Sequence, residues 1–298
     1  MFIMPIVPMR ELLRNAIENG YAVGYFESWD QYSLEAVVEA AEYARSPVII
    51  GFGGMMTDRD WMESGGLELF AAMGRTAAEN SKIPVSFILN EIWSIEIALQ
   101  GLELGMNAVM LDTGDMPLED NIRLTRKLVK LAHAIGADVE GECGQLADAS
   151  TETMNHTMFT NPLEAARYVQ ETGVDILSVA VGNVHILTKG HSSINFELLA
   201  EIHKATNVPL AIHGGTGFPD EAVETAINLG VAKFNVGTIM KKIYLENLHM
   251  AFQELPAGAK VHDIVGSRKA TDIFENAKNA VKTEVIRRMH VYKSVGMG

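Results

Sequence analysis

The chain has 298 residues, 48% of them hydrophobic, so it can bury a large core; that length suits one α/β barrel or two small domains. A net charge of −14 repels nucleic acid and anionic membranes, and neither is expected as a partner. The single cysteine, Cys143, excludes an internal disulfide and points to a reducing cytoplasm, no apolar run reaches the ~20 residues that span a bilayer, and residues 1–8 lack the basic flank of a signal peptide.

Along the chain, short β-branched apolar runs alternate with longer amphipathic stretches. The apolar runs cover residues 21–26, 47–52, 84–89, 108–112, 138–143, 176–182, 209–214 and 233–238. Between them, residues 34–43, 95–104, 121–134, 162–172, 196–206 and 220–229 space their apolar side chains at three and four, as helices do. Strands buried on both faces and separated by helices call for a parallel sheet, and eight such units close into a (β/α)8 TIM barrel. The rival, a doubly wound open sheet, usually has a Gly-rich first turn; here that turn is Glu27-Ser-Trp-Asp, with no GxGxxG. Residues 270–292 read as one more helix, rich in Lys and Arg. No Pro/Gly/Ser-rich linker divides the chain, so a single domain over residues 1–298 is expected, with that extra helix at its C-terminal end.

A barrel of this kind carries its site at the C-terminal strand ends. Those positions hold Glu27, Gly53-Gly54, Asn90-Glu91, Asp112, Glu142, His185, His213 and Asn235, a set that a packed core would not choose. A lone strand-end histidine is more often a hydrogen-bonding residue than a ligand. His185 and His213, however, follow the sixth and seventh runs, which are neighbours in a barrel, and Glu91 and Glu142 end two others. Two histidines with one or two carboxylates suit Zn2+, Mn2+, Fe2+ or Co2+. His133, His156, His191, His203, His249, His262 and His290 read as ordinary surface residues. Gly214-Gly-Thr-Gly217 follows the seventh run and Asn235-Val-Gly-Thr238 the eighth, where barrels bind phosphate through backbone N–H groups; Lys189 adds a charge nearby.

At these residues the chain resembles the class II, metal-dependent ketose-bisphosphate aldolases, the family of the fructose- and tagatose-1,6-bisphosphate aldolases. The resemblance runs through Met4-Pro-Ile-Val, Gly20-Tyr-Ala-Val-Gly-Tyr-Phe26, Ser46-Pro-Val-Ile-Ile50, Val109-Met-Leu-Asp-Thr-Gly114, Val139-Glu-Gly-Glu-Cys-Gly144, Val181-Gly-Asn-Val-His185, His213-Gly-Gly-Thr-Gly217 and Lys233-Phe-Asn-Val-Gly-Thr238. It implies His185 and His213 as metal ligands, with Zn2+ the first candidate. It implies Lys189, Gly214, Thr216, Asn235 and Thr238 as holders of the phosphate of a dihydroxyacetone-phosphate unit, and it places Asp112 and Glu142 near the metal. It further implies a cytoplasmic homodimer or homotetramer of carbohydrate metabolism.

The chain departs from the family after the third run. The family's His-x-Asp-His is here Ile88-Leu-Asn90-Glu91. Asn90 keeps the shape of Asp but cannot exchange a proton near neutral pH. Glu91 can still bind a metal, giving a two-His, one-carboxylate set that lowers the cation's Lewis acidity and favours a harder ion. Glu27 stands where the family usually has Asn, and Ile186 where it usually has Gly, so a branched side chain crowds the phosphate. The expected enzyme is a divergent aldolase or related lyase. It would make or break a C–C bond in a phosphorylated ketose or sugar acid through a metal-stabilised enediolate, and fructose 1,6-bisphosphate is not the expected substrate. Glu27 or Glu142 would move the proton, and Trp29 or Trp93 would reshape the pocket. The alternatives are an isomerase or epimerase using the same enediolate, and a sugar-phosphate-binding protein without turnover. Arg268, Lys269, Arg287 and Arg288 are expected to be solvated, the alternative being that they complete a pocket, within the chain or across subunits.

Overall fold

A computed structural model describes residues 6–149, 159–187 and 189–298; His156, and Met4 and Pro5 of the first resembling stretch, lie outside these. Eight parallel strands form a ring: β1 (Val23–Ser28), β2 (Val48–Gly53), β3 (Val85–Ile92), β4 (Ala108–Leu111), β5 (Asp138–Cys143), β6 (Ile176–Val179), β7 (Leu210–Ile212) and β8 (Val231–Val236). Each pairs with its neighbours in sequence, and β1 pairs with both β2 and β8, so the barrel is closed as the eight apolar runs predict. The eighth run is displaced: β8 starts at Val231, and Thr238 already belongs to the next helix.

The main helices are α1 (Met9–Asn19), α2 (Gln31–Ala44), α3 (Leu67–Asn80), α4 (Ile95–Glu103), α5 (Leu118–Ala134), α6 (Pro162–Thr172), α7 (Phe196–Ala205), α8 (Val223–Asn228), α9 (Thr238–Gln253) and α10 (Ile273–Val291). The sequence reading lacks α1, α3 and α9. Among the described residues, no helix is long and apolar enough to cross a membrane. α10 is the extra C-terminal helix, started by Asp272, whose Oδ1 accepts the Phe274 N–H at 3.1 Å. It packs on α2 and α9.

α1 closes the N-terminal end of the barrel. Its Met9, Leu12, Leu13 and Ala16, at helical spacing, pack into a buried cluster with the lumen residues Val23, Tyr25, Ile49, Ile88 and Met110. Arg10 fastens this floor, its backbone N–H and its Nη1 both donating to the Asp138 carboxylate at 2.8 and 2.5 Å.

Above the floor the lumen turns polar. Alternate residues of a strand share a face, so Glu140 and Glu142 of β5 point one way, as do Lys233 and Asn235 of β8. Lys233 Nζ donates to Glu140 Oε2 at 2.6 Å and lies 5.1 Å from the centre of the Tyr25 ring. Lys233 is 0% exposed and Glu140 1%, so each charge depends on the other. Lys233→Met is expected to destabilise the fold by about 3–5 kcal/mol in denaturant titrations, because it strands a buried carboxylate, and the double variant Glu140→Leu/Lys233→Met is expected to recover much of the loss.

Candidate active site

The C-terminal strand ends open onto a cleft lined by Tyr25 and Glu27 of β1, Gly53, Met55 and Met56 at the end of β2, and Asn90 and Glu91 of β3. His185 and Ile186, His213, Gly214 and Thr216 after β7, and residues 235–238 complete the wall. The cleft therefore brings together Glu27, Asn90, Glu91, His185, His213, Gly214, Thr216, Asn235 and Thr238. Glu142 stands at the mouth of β5, outside this wall, and Lys189 is exposed. Trp29 and Trp93 do not line it either: Trp29 packs edge-on against Tyr244, and Trp93 donates its indole N–H to Glu63 beneath Arg59.

His213 directly follows β7. His185 is not at the end of β6; it lies six residues beyond Val179, on a two-residue strand, Val184–His185, that pairs with Ala147–Asp148 above the barrel. This small ladder carries the imidazole back over the mouth. Ligand atoms of Glu91, His185 and His213 all lie within 4.8 Å of one another. Glu91 Oε1 is 3.1 Å from His213 Nδ1 and 3.7 Å from His185 Nε2. On its other edge His213 Nε2 meets Glu140 Oε1 at 2.8 Å, and the Asn235 side-chain amide lies 2.9 Å from the same nitrogen. A carboxylate on one ring nitrogen fixes the tautomer and leaves the other free to ligate. The residues present therefore fit a cation held by Glu91, His185 and His213, with Glu140 behind it.

The electrostatics agree. Burial works to raise the Glu91 carboxyl, but the His213 and His185 imidazoles and Lys233 outweigh it and hold it down at about 2. Burial works to lower His213, yet Glu91 and Glu140 push it up to about 9. Without a metal these carboxylates keep a proton on the imidazole; a divalent cation brings its own positive charge to the same place. Glu140 and Lys233 were missed by the sequence reading. The signal for both was a charged residue inside an apolar run, in phase with Glu142 and Asn235.

The turns expected to hold an anion are two helix starts. Gly215–Gly217 form a single 3-10 turn, and α9 begins at Thr238 after Gly237, which has no side-chain cap. Thr216 joins them, its Oγ1 accepting the Ile239 N–H at 3.2 Å. Gly214 has φ +68°, and a Cβ there would stand 2.2 Å from the Val184 carbonyl oxygen, so the strand carrying His185 is what requires this glycine. Arg288 corrects an expectation. It is buried rather than solvated, and its guanidinium donates to the Gly215 carbonyl at 2.8 Å and the Thr216 carbonyl at 3.4 Å. Arg268, Lys269 and Arg287 pair with carboxylates at the surface.

Three more carboxylates belong to this region: Glu27 in the cleft wall, and Glu142 and Asp112 at the mouth. Burial raises the Glu142 carboxyl to about 7, against the Thr113 N–H that donates to its Oε1 at 2.6 Å; Glu91 and Asp112 add to the rise. Burial also raises Glu27, opposed by Lys241, whose Nζ donates to Glu27 Oε1 at 2.9 Å. Asp112 is exposed at the mouth, its carboxyl raised by partial burial and by Glu91.

The backbone is strained at two of these positions. Glu91 has φ +52° and Ile186 φ +54°, the left-handed region that costs an L-residue roughly 1–2 kcal/mol. At Ile186 the chain keeps a glycine conformation with a β-branched side chain. Ile186→Gly is expected to leave the protein as stable or more stable, by up to about 1 kcal/mol in chemical denaturation; a clear loss would show that packing of this side chain outweighs the strain.

Comparison with known proteins bears on this geometry. The family model described as fructose-bisphosphate aldolase class-II matches residues 7–297. The chain is 32% identical over 296 residues to a fructose-bisphosphate aldolase of Geobacillus stearothermophilus, covering 98% of this chain and 99% of that one. It is 36% identical over 238 residues to a probable fructose-bisphosphate aldolase of Bacillus subtilis (strain 168), covering 79% and 82% respectively. Among solved structures it is similar to the YdjI aldolase of Escherichia coli K12, with a TM-score of 0.82, 30% sequence identity, and 98% and 99% of the two chains covered. With a closed eight-stranded barrel and matches along nearly its full length, the chain belongs to the class II fructose-bisphosphate aldolase family, the metal-dependent aldolases.

Proposed function

We propose that this aldolase makes or breaks a carbon–carbon bond in a phosphorylated ketose other than fructose 1,6-bisphosphate. The observation that carries the proposal is the mouth of β3. Asn90 Nδ2 donates to Glu91 Oε2 at 2.7 Å, so the residue standing where the family has its proton-transferring Asp orients a carboxylate instead. An amide cannot take up or release a proton at neutral pH. The family's proton route is therefore not available here, while the parts that hold a cation and a phosphate are.

Glu91, His185 and His213 would hold the cation, with Zn2+ the first candidate and Mn2+, Fe2+ or Co2+ the alternatives. When bound, it supplies Lewis acidity to the carbonyl next to the reacting bond. The backbone of Gly214–Thr216, the start of α9 at Thr238 and the side chains of Thr216 and Asn235 would hold the phosphate. Lys189, exposed beyond Ile186, adds positive charge to the approach rather than a wall contact. Glu142 is the better candidate to move the proton: its carboxyl lies near 7, whereas Glu27 Oε1 is held by Lys241. The buried Cys143, its thiol raised by burial to about 12, has no part as a nucleophile.

Metal-loaded protein incubated with dihydroxyacetone phosphate in deuterated water is expected to exchange the substrate's C3 proton without added aldehyde. A base must be deprotonated to accept that proton, so exchange should rise with pH up to about 7 and then level, and Glu142→Gln should slow it roughly 100-fold or more. No exchange with any divalent metal, with phosphate still bound, would sink the aldolase reading. The ligand set has its own test in metal content: Glu91→Ala is expected to lower metal affinity at least tenfold, by roughly the factor that removing even a residue behind the ligands costs. Unchanged content would remove Glu91 from the set.

A further inference from the structure

We infer that the ketose carries a single phosphate, and that its far end is an uncharged, hydroxyl-bearing chain read by Glu27 and Asn90. This rests on the aldolase reading of the cleft. Beyond the anion cradle at β7 and β8, the cleft continues over β1, β2 and β3, and there its wall is Glu27, Met55, Met56 and Asn90. That wall offers acceptors and soft apolar surface.

Glu27 is built into this wall rather than placed loosely at its rim. Lys241 holds Oε1 at 2.9 Å. The rest of the carboxylate occupies space left by two glycines: a Cβ on Gly237 would stand 2.2 Å from Oε2, and one on Gly53 3.0 Å from Oε1. Three positions, Gly53 at the end of β2 and Gly237 and Lys241 at the start of α9, thus accommodate one carboxylate. Asn90 supplies the second acceptor. It is 2% exposed, its Nδ2 is engaged by Glu91, and its buried Oδ1 accepts no hydrogen bond among the described residues. A buried acceptor without a donor is costly unless a ligand provides one.

Two acceptors ask for donors, and sugar hydroxyls supply them. A second phosphate can supply none at neutral pH beyond its last proton, and it would meet the Glu27 carboxylate as a like charge. Such juxtaposition is how sites reject a wrong partner. Lys241 fixes Glu27 in place through its Nζ–Oε1 hydrogen bond, which sharpens the discrimination. Glu27 is thereby a specificity-determining residue for the half of the substrate that leaves as the aldehyde.

Fructose 1-phosphate and fructose 1,6-bisphosphate differ only in the far phosphate, and they test this on the metal-loaded protein. Binding by calorimetry and cleavage by kcat/KM should both favour the 1-phosphate at least tenfold. Glu27→Gln should shrink that ratio at least fivefold by improving the bisphosphate, with Glu27→Asn as a second variant should the first fold poorly. The double variant Glu27→Gln/Lys241→Met should shrink it likewise. Equal or better binding of the bisphosphate by the unaltered protein overturns the inference, as does a ratio that Glu27→Gln and Glu27→Asn leave unmoved. A ratio that shrinks in Glu27→Gln but not in the double variant assigns the effect to a released lysine, and also overturns it. Proton exchange on dihydroxyacetone phosphate separates the two readings: its absence removes the aldolase reading, while the binding ratio still decides this one.

Discussion

The site depends on a line of alternating charges that begins inside the barrel. Lys233 holds Glu140 at 2.6 Å, Glu140 holds His213 at 2.8 Å, and His213 holds Glu91 at 3.1 Å. None of these groups could stand alone where they are, because an unpaired charge in a low-dielectric interior is too costly. Together they set each other. Glu140 fixes the imidazole ring, the imidazole keeps Glu91 ionised, and Glu91 takes the amide of Asn90. The motif at the end of β3 is thus governed from β5, β7 and β8, and a substitution in the lumen reaches the cleft through three hydrogen bonds.

This coupling also accounts for the way the chain departs from its family. Exchanging a neutral imidazole for Glu91 adds a negative charge to the mouth, and the proton held by His213 balances it in the absence of metal. Ile186 retains the left-handed geometry that suits the family's glycine, and Glu27 sits in room provided by Gly53 and Gly237.

Much of the fold was legible in the sequence because parallel barrel strands are buried on both faces and read as unbroken apolar runs. The helices α1, α3 and α9 were not. α1 lies ahead of the first strand, where the alternation of runs gives no place for it, and α9 buries only Met240 and Tyr244 on a weakly divided surface. In the site, Asn90, Glu91, His213 and the glycine turns were legible because each lies at or just after the C-terminal end of a strand. His185 was legible as a ligand type but not as a position, since nothing in Val181–His185 distinguishes a continued strand from a separate two-residue ladder. Glu140 and Lys233 were hidden by the assumption that residues within an apolar run belong to the packing. Arg288 was hidden by its neighbour: Arg287 and Arg288 are alike in sequence, and the burial of Arg288, with its guanidinium on the Gly215 and Thr216 carbonyls, shows which one the helix turns inward.

Arg288 also bears on the order in which the protein takes shape. The turn at Gly215 and Thr216 owes two of its carbonyl contacts to a side chain 72 and 73 residues further along the chain. Contacts so distant in sequence are slow to form, because the intervening loop must be closed before they stabilise anything. The strand pairs that close the barrel, Val23 with Lys233 among them, are farther apart still. The last helix therefore ties this turn to the far end of the chain, so the wall of the cleft at Gly215 and Thr216 depends on a segment outside the eight strand-and-helix units.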